Sequence, residues 1–226
     1  MSLQNQLDAF RQQFESGGPP FNVPRTVIET VHRGIKELTS SGQADRVTKV
    51  GAHAPGFALK DSDGQVVKSA EHLKRGPLVV TFYRGAWCPY CNLDLKALQA
   101  ALPDILSRGA TLVAISPQNA ANSRKSIRQH DITFPILSDP GGEISAAYGL
   151  RYAFPDYLIE LYKNVFKNDL ALVNDDSSWT LPMPARYVIG TDGVIAYAEV
   201  NPDYTRRPDP TELLPVLRRL RTDVAA

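Results

Sequence analysis

Apolar residues recur at helical spacing in the N-terminal part of the chain. The first series is Leu3, Leu7, Phe10 and Phe14, and the second is Val27, Val31, Ile35 and Leu38. Intervals of three and four residues predict two amphipathic helices, and the Gly-Gly-Pro-Pro sequence at residues 17–20 separates them. Two short helices cannot bury their own apolar stripes. We therefore expect residues 1–45 to form a helical extension that docks on the rest of the chain or mediates a homodimer.

After residue 46 the pattern changes to alternating strands and helices. Residues 78–83 are β-branched and aromatic, which is typical of a buried strand, and residues 92–105 carry leucines at helical spacing. Pro103 should kink or shorten that helix. A strand over 110–116, a polar helix over 123–130 and a short extended segment over 133–137 follow. This order predicts a parallel βαβ unit within one α/β domain spanning residues 46–226.

The C-terminal half predicts one more helix, a hairpin and a final helix. Apolar positions between residues 158 and 172 indicate the helix. Residues 186–189 and 194–200 flank the turn sequence Thr-Asp-Gly, which predicts two antiparallel edge strands. Residues 209–212 have the composition of a capping box that begins the last helix.

Composition and charge exclude several classes of function. The chain has 226 residues, of which 43% are hydrophobic, so it can bury a sizeable core. The formal net charge is only +1, which argues against nucleic acid or an anionic membrane as a partner. No apolar run approaches the roughly 20 residues that span a bilayer, and residues 1–6 do not resemble the start of a secretory signal. We expect a cytoplasmic protein.

The chain has only two cysteines, Cys88 and Cys91, placed three residues apart where the predicted strand gives way to the predicted helix. Backbone N–H groups and the helix dipole at such a position favour a thiolate. Pro89 fits the first helical turn, where its missing N–H costs nothing. A zinc site would need two further ligands, and the four histidines show no paired spacing, so we expect neither a metal nor an organic cofactor. The spacing predicts a redox-active pair of thiols.

Several short segments of the chain form a recognisable set. They are Val-Gly-Ala-His-Ala-Pro-Gly-Phe-Ala-Leu at 50–59, Phe-Tyr-Arg-Gly at 82–85, and Tyr-Val-Ile at 187–189 followed by Asp192-Gly193. Together they resemble the peroxiredoxin family, the group of alkyl hydroperoxide reductases and thiol-specific antioxidants. The resemblance covers roughly residues 47–200. It implies a thioredoxin-like fold, in which a central mixed β-sheet is flanked by helices.

The cysteine loop departs from the peroxiredoxin pattern. Cys91 occupies the place of the family's peroxidatic cysteine, whereas Cys88 stands where the family has a Thr or Ser. The loop is also a thioredoxin-like Cys-Pro-Tyr-Cys sequence, and Pro184 could then be the cis proline that faces the pair. The chain is accordingly expected to be a thiol peroxidase that acts on hydrogen peroxide or organic hydroperoxides and is reset by a thioredoxin-like reductant. The alternatives are a thiol-disulfide oxidoreductase acting on protein disulfides and a non-catalytic binding or redox-sensing module.

The resemblance also suggests roles for the residues near the pair. Arg84 would stabilise the thiolate and bind a peroxide oxygen. The candidate substrate-binding residues are Trp87, Pro89, Tyr90, Pro184 and Arg186. Family position favours Cys91 as the attacking sulfur, but we expect Cys88 to attack and Cys91 to resolve, because Cys88 should be more exposed at the loop edge. The N-terminal helices should not be needed for the chemistry, and deletion of residues 1–45 should change assembly or solubility first.

Overall fold

The computed structural model describes residues 2–223. In this part of the chain the α-helices are α1 (Leu3–Glu15), α2 (Arg25–Ser40), α3 (Ser69–Leu73), α4 (Pro89–Leu106), α5 (Ala120–His130), α6 (Glu143–Ala147), α7 (Asp156–Glu160), α8 (Leu170–Asn174) and α9 (Leu213–Asp223). The strands are β1 (Ala58–Asp61), β2 (Val66–Lys68), β3 (Leu78–Phe82), β4 (Thr111–Ser116), β5 (Ile136–Ser138), β6 (Arg151–Ala153), β7 (Thr180–Pro182), β8 (Ala185–Ile189) and β9 (Ile195–Val200). No helix within residues 2–223 is long and apolar enough to cross a membrane.

Seven strands form one mixed sheet in the order β2-β1-β5-β4-β3-β8-β9, and β6 pairs with β7 in a separate two-stranded sheet. Strands β3, β4 and β5 run parallel, as the βαβ pattern predicted, while β8 pairs antiparallel with β3. The predicted hairpin is present, but only β9 lies at the edge, so the prediction of two edge strands was wrong for β8. All five residues of β8 are buried, because helices and loops cover both of its faces.

Helices flank this sheet on both faces and bury two apolar cores. Val79 and Val188 face α4 and α9, whereas Val80 and Tyr187 belong to the core on the other face. Helix α4 continues through Pro103 to its last residue, Leu106, so this proline does not end the helix. The architecture confirms the predicted central mixed sheet flanked by helices.

The N-terminal helices pack on the body of the molecule. Leu3 and Leu7 of α1 are buried in the core that includes α4. Val27 of α2 joins a third apolar cluster with Phe154 and Leu158. The two predicted helices therefore dock on the rest of the chain. Docking buries the apolar stripe of each helix, which the helix alone cannot do. The division into domains at residue 46 and a homodimer stay predictions.

The predicted helix over 158–172 was wrong as a single element. Helix α7 passes into a π-helical turn over Leu161–Val165, and α8 begins only at Leu170. Lys167, between them, has a left-handed backbone with φ 53°. Leu161 and Tyr162 of this π turn both lie in the third cluster.

Candidate active site

The two cysteines lie at the N-terminus of α4. Cys88 is the N-cap residue, Pro89 is the first helical residue, and Cys91 lies within the first turn, which confirms the predicted position of the pair. The loop from β3 needs Gly85, whose φ is +147°. A Cβ atom at Gly85 would lie 2.5 Å from Nε1 of Trp87, so glycine lets this indole pack against the loop.

Cys88 has a buried arginine beside it. The Nη1 atom of Arg84 lies 3.9 Å from the sulfur, and Nη2 donates a 2.7 Å hydrogen bond to the hydroxyl of Tyr162. The guanidinium carbon lies 3.9 Å from the ring centroid of Tyr204 and 4.8 Å from that of Trp87. Arg84 is only 1% exposed, and no carboxylate among residues 2–223 forms an ion pair with it. Its positive charge is therefore directed at the sulfur and the aromatic rings.

Cys91 has a different arginine. The Nη2 atom of Arg207 lies 3.6 Å from its sulfur. Arg207 also pairs with Asp94, with 3.4 Å between Nε and Oδ2, and the other carboxylate oxygen of Asp94 accepts a hydrogen bond from Arg186. Arg186 in turn donates to the carbonyl oxygen of Pro208 at 3.0 Å. The cation beside Cys91 is thus already neutralised in part by a buried acid.

These surroundings move the pKa values of the two thiols in opposite directions. Burial alone would raise the pKa of Cys88, but the hydrogen bond from the Cys91 thiol and the charges of Arg84 and Arg207 outweigh it and lower the pKa to about 6. Burial raises the pKa of Cys91, and the neighbouring Cys88 thiolate raises it further. The geometry therefore favours one thiolate, on Cys88, with a protonated Cys91 that donates to it.

A cavity of about 350 Å³ opens in front of Cys88. Cys88, Arg84 and Tyr162 form its polar end. Aromatic and aliphatic side chains supply most of the remaining wall, namely Phe10, Phe14, Phe21, Val31, Ile35, Trp87, Tyr90 and Phe166. Cys91 does not line the cavity. A small molecule that enters here can meet only the first sulfur.

The predicted substrate-binding residues divide into two groups. Trp87, Pro89 and Tyr90 line the cavity, whereas Pro184 and Arg186 do not, and substrate binding by the first three stays a prediction. The prediction of a cis proline at Pro184 was wrong, since the cis peptide bond found within residues 2–223 precedes Pro20. Arg186 is buried against Asp94, because a guanidinium inside the sheet layer needs an acid partner.

Two further expectations concern access to the site. Phe10 and Phe14 of α1 and Ile35 of α2 line the cavity, so the N-terminal helices lie beside the site, while the expectation that the chemistry does not need them stays a prediction. The side chains that dock these helices also cover the space in front of the sulfur. Both cysteines are buried, with Cys88 1% and Cys91 0% exposed, so the expected exposure of Cys88 at the loop edge is absent, but of the two only Cys88 lines the cavity. Access to Cys88 depends on the cavity.

Sequence reasoning missed Asp94, Arg207, Tyr162 and Tyr204. A signal existed for Asp94, an acidic residue one position before the buried Leu95 in an apolar helix. No sequence signal pointed to Arg207, because it follows Arg206 in a polar loop and only the fold brings it close to Cys91. The two tyrosines lie far from the cysteines along the chain, so only tertiary contacts place them around Arg84.

Comparison with known proteins places the chain in a family. The model of the AhpC/TSA family matches residues 50–198, so the chain belongs to this family of peroxiredoxin-like proteins with a thioredoxin fold. This agrees with the resemblance found in the sequence. The match ends before Tyr204 and Arg207 and begins after both N-terminal helices. Part of the cavity wall and the arginine beside Cys91 therefore lie outside the matched segment.

Individual relatives come from two kinds of thiol protein. A chloroplastic peroxiredoxin Q of Oryza sativa subsp. japonica is 28% identical over 147 residues, which are 65% of this chain and 57% of that protein. The thiol-disulfide oxidoreductase ResA of Bacillus thuringiensis subsp. konkukian is 26% identical over 113 residues, which are 50% of this chain and 64% of that protein. The chain thus spans less than two thirds of the length of these curated relatives.

The solved structures agree on the fold. The crystal structure of the peroxidoxin BcpB from Mycobacterium tuberculosis has a TM-score of 0.60 at 20% identity, and the match covers 76% of this chain and 97% of that one. At this identity the likeness supports the thioredoxin fold and carries no information about substrates.

Proposed function

We propose that this protein is a thiol peroxidase in which Cys88 attacks the peroxide. The observation that carries the proposal is the buried guanidinium of Arg84. It lies 3.9 Å from the Cys88 sulfur, has no acid partner among residues 2–223, and faces a cavity that a small molecule can enter. A cation in this position stabilises the thiolate and can donate to an oxygen of the peroxide.

The first step oxidises Cys88. The thiolate sulfur attacks the terminal oxygen of the peroxide, an S–O bond forms, and the O–O bond breaks. The second oxygen leaves as an alkoxide, or as hydroxide from hydrogen peroxide, and takes up a proton to give an alcohol or water. Arg84 lies where it can stabilise the negative charge that develops on this oxygen. The product is a sulfenic acid on Cys88.

The second step joins the two cysteines. The Cys91 sulfur attacks the sulfenic sulfur, an S–S bond forms, and the hydroxyl group leaves with the Cys91 proton as water. Arg207 is the cation nearest to Cys91 while this thiol loses its proton. A dithiol protein of the thioredoxin type then reduces the disulfide by exchange and is itself oxidised. The cycle uses no metal and no organic cofactor, and we propose a cytoplasmic location for it.

A thiol-disulfide oxidoreductase is the second candidate. The Cys-Pro-Tyr-Cys sequence at the start of α4 and the similarity to ResA favour it. In that function Cys88 would attack a disulfide of a client protein. The burial of Cys88 behind the cavity argues against it, because a disulfide on a folded protein must reach the attacking sulfur directly.

Two assays on one sample distinguish these candidates. We expect the purified protein to consume cumene hydroperoxide with a thioredoxin system as reductant, and to reduce insulin disulfides only slowly. Treatment with a chelator should leave peroxide consumption unchanged. Rapid insulin reduction with negligible peroxide turnover would overturn the peroxidase proposal, and failure of both assays would favour a binding or sensing module.

A further inference from the structure

We infer that helices α1 and α2, which lie outside the segment matched by the family, determine the specificity of the site and make it favour apolar organic hydroperoxides over hydrogen peroxide. This inference rests on the proposed peroxidase function and adds which part of the chain sets the preference among hydroperoxides. It starts from the contrast between the two ends of the cavity, one polar at Cys88 and one apolar at the N-terminal helices.

The apolar end is a wall of interlocked aromatic rings. The ring centroid of Phe10 lies 5.1 Å from that of Tyr90, which joins α1 to the cysteine loop. The ring centroid of Phe14 lies 5.9 Å from that of Phe21 and 6.5 Å from that of Phe166, which joins α1 to the segment after the π turn. Rings held in this way present a preformed surface that a water-filled site for a small polar substrate does not need.

The charged groups at this end are already engaged with each other. Glu15 bonds Arg11 at 2.7 Å and His32 at 2.6 Å. Lys167 also lines the cavity, but its side chain belongs to an exposed residue that can remain in water. The surface available to a ligand between this rim and Cys88 is consequently mostly apolar.

An apolar hydroperoxide matches the cavity, because each has one polar end and one apolar end. Its –OOH group can reach the Cys88 sulfur and accept from Arg84, while its hydrocarbon body lies against the rings of Phe10 and Phe14. A volume of about 350 Å³ is within the range of pockets that hold small organic ligands. Hydrogen peroxide has no body to bury, so it gains nothing from this wall.

The test compares hydroperoxides of increasing apolar size on the full chain. We expect kcat/KM to rise from hydrogen peroxide through tert-butyl hydroperoxide to cumene hydroperoxide, by about tenfold or more over the series. The unreactive alcohol 2-phenylpropan-2-ol should inhibit competitively, because it fills the cavity without an O–O bond. This measurement needs no variant and so does not depend on refolding.

A substitution that partly fills the cavity tests whether the N-terminal helices set the substrate preference. Ile35→Trp places a larger side chain in the cavity wall, so kcat/KM for cumene hydroperoxide should fall about tenfold while that for hydrogen peroxide stays within about twofold. Leu172→Trp is the matched control, since Leu172 is 74% exposed and does not line the cavity. It should leave both values unchanged.

The outcomes separate this inference from the proposed function. If hydrogen peroxide is the better substrate, or if the alcohol does not inhibit and Ile35→Trp affects both peroxides equally, the inference is overturned and the peroxidase proposal stands. If no hydroperoxide is consumed, the peroxidase proposal itself fails, and the inference fails with it.

Discussion

The surroundings of Cys88 and Cys91 differ although the two residues share one helix turn. Each sulfur has an arginine within 4 Å, Arg84 at 3.9 Å and Arg207 at 3.6 Å. Arg84 is packed among aromatic rings without an acid partner in residues 2–223, whereas Arg207 shares Asp94 with a second arginine. Cys88 faces a cavity, and Cys91 faces the interior.

This difference shows how two chemically identical groups can be given different pKa values. A buried arginine without an acid partner has its strongest interaction with the nearest anion, so it favours a thiolate on Cys88. An arginine that is paired with a carboxylate stabilises a neighbouring thiolate less. The attack by Cys88 stays a prediction, and it now rests on electrostatics and on the cavity, since the expected exposure of this sulfur is absent.

Replacing either cysteine should have the largest effect on peroxide turnover and should show which sulfur attacks. We expect Cys88→Ser to lose peroxide consumption by about a thousandfold or more, because the attacking atom is gone. Cys91→Ser should still form a sulfenic acid with one equivalent of peroxide, and a dimedone-type probe should label it rapidly. Rapid labelling of Cys88→Ser instead would assign the attack to Cys91.

Removing the charge of Arg84 should give the next largest effect. Arg84→Met keeps an apolar stem in the aromatic cluster but removes the cation beside Cys88, so peroxide consumption should fall about 100-fold. The pKa of Cys88, followed by thiolate absorbance, should rise in the same variant. Arg25→Met is the control, because Arg25 lies on the exposed face of α2, with 91% of its side chain accessible. Equal losses in both variants would show that Arg84 acts only through stability.

Lowering the pH should reduce the reactivity of Cys88 in a defined window. A thiol with a pKa of about 6 is mostly thiolate at pH 7 and mostly protonated at pH 5. Alkylation by iodoacetamide, located on Cys88 by mass spectrometry, should therefore slow about tenfold between pH 7 and pH 5. A midpoint near the ordinary cysteine value of about 8.5 would contradict the described electrostatics.

Removing Arg207 should give the smallest effect, confined to the second step. Arg207→Met takes away the cation beside Cys91, so conversion of the sulfenic acid to the disulfide should slow about fivefold. Reaction of Cys88 with the first equivalent of peroxide should change less. The free energy of unfolding needs to be measured in parallel, since Asp94 would lose one of its two arginine partners described here, Arg207, and keep Arg186. A larger loss in the first step than in the second would reverse the assignment of the two arginines.

The sequence alone determined several of the helices and strands and the location of the thiol pair. Apolar spacing predicted α1, α2 and the βαβ unit, and Cys88, Pro89 and Cys91 indicated a reactive pair at a helix N-terminus. Such features are local, because spacing and capping involve residues within a few positions of each other. The family resemblance likewise rested on short segments.

Only the tertiary structure decided what surrounds each sulfur. Arg207 and Tyr162 lie far from the cysteines in the chain, and docking of α1 and α2 closes a cavity that their spacing did not reveal. The buried state of Cys88 and the trans bond before Pro184 also depend on packing between distant elements. Burial and charge act through space over a few ångströms, so the pKa difference between the two thiols could arise only once the chain had folded.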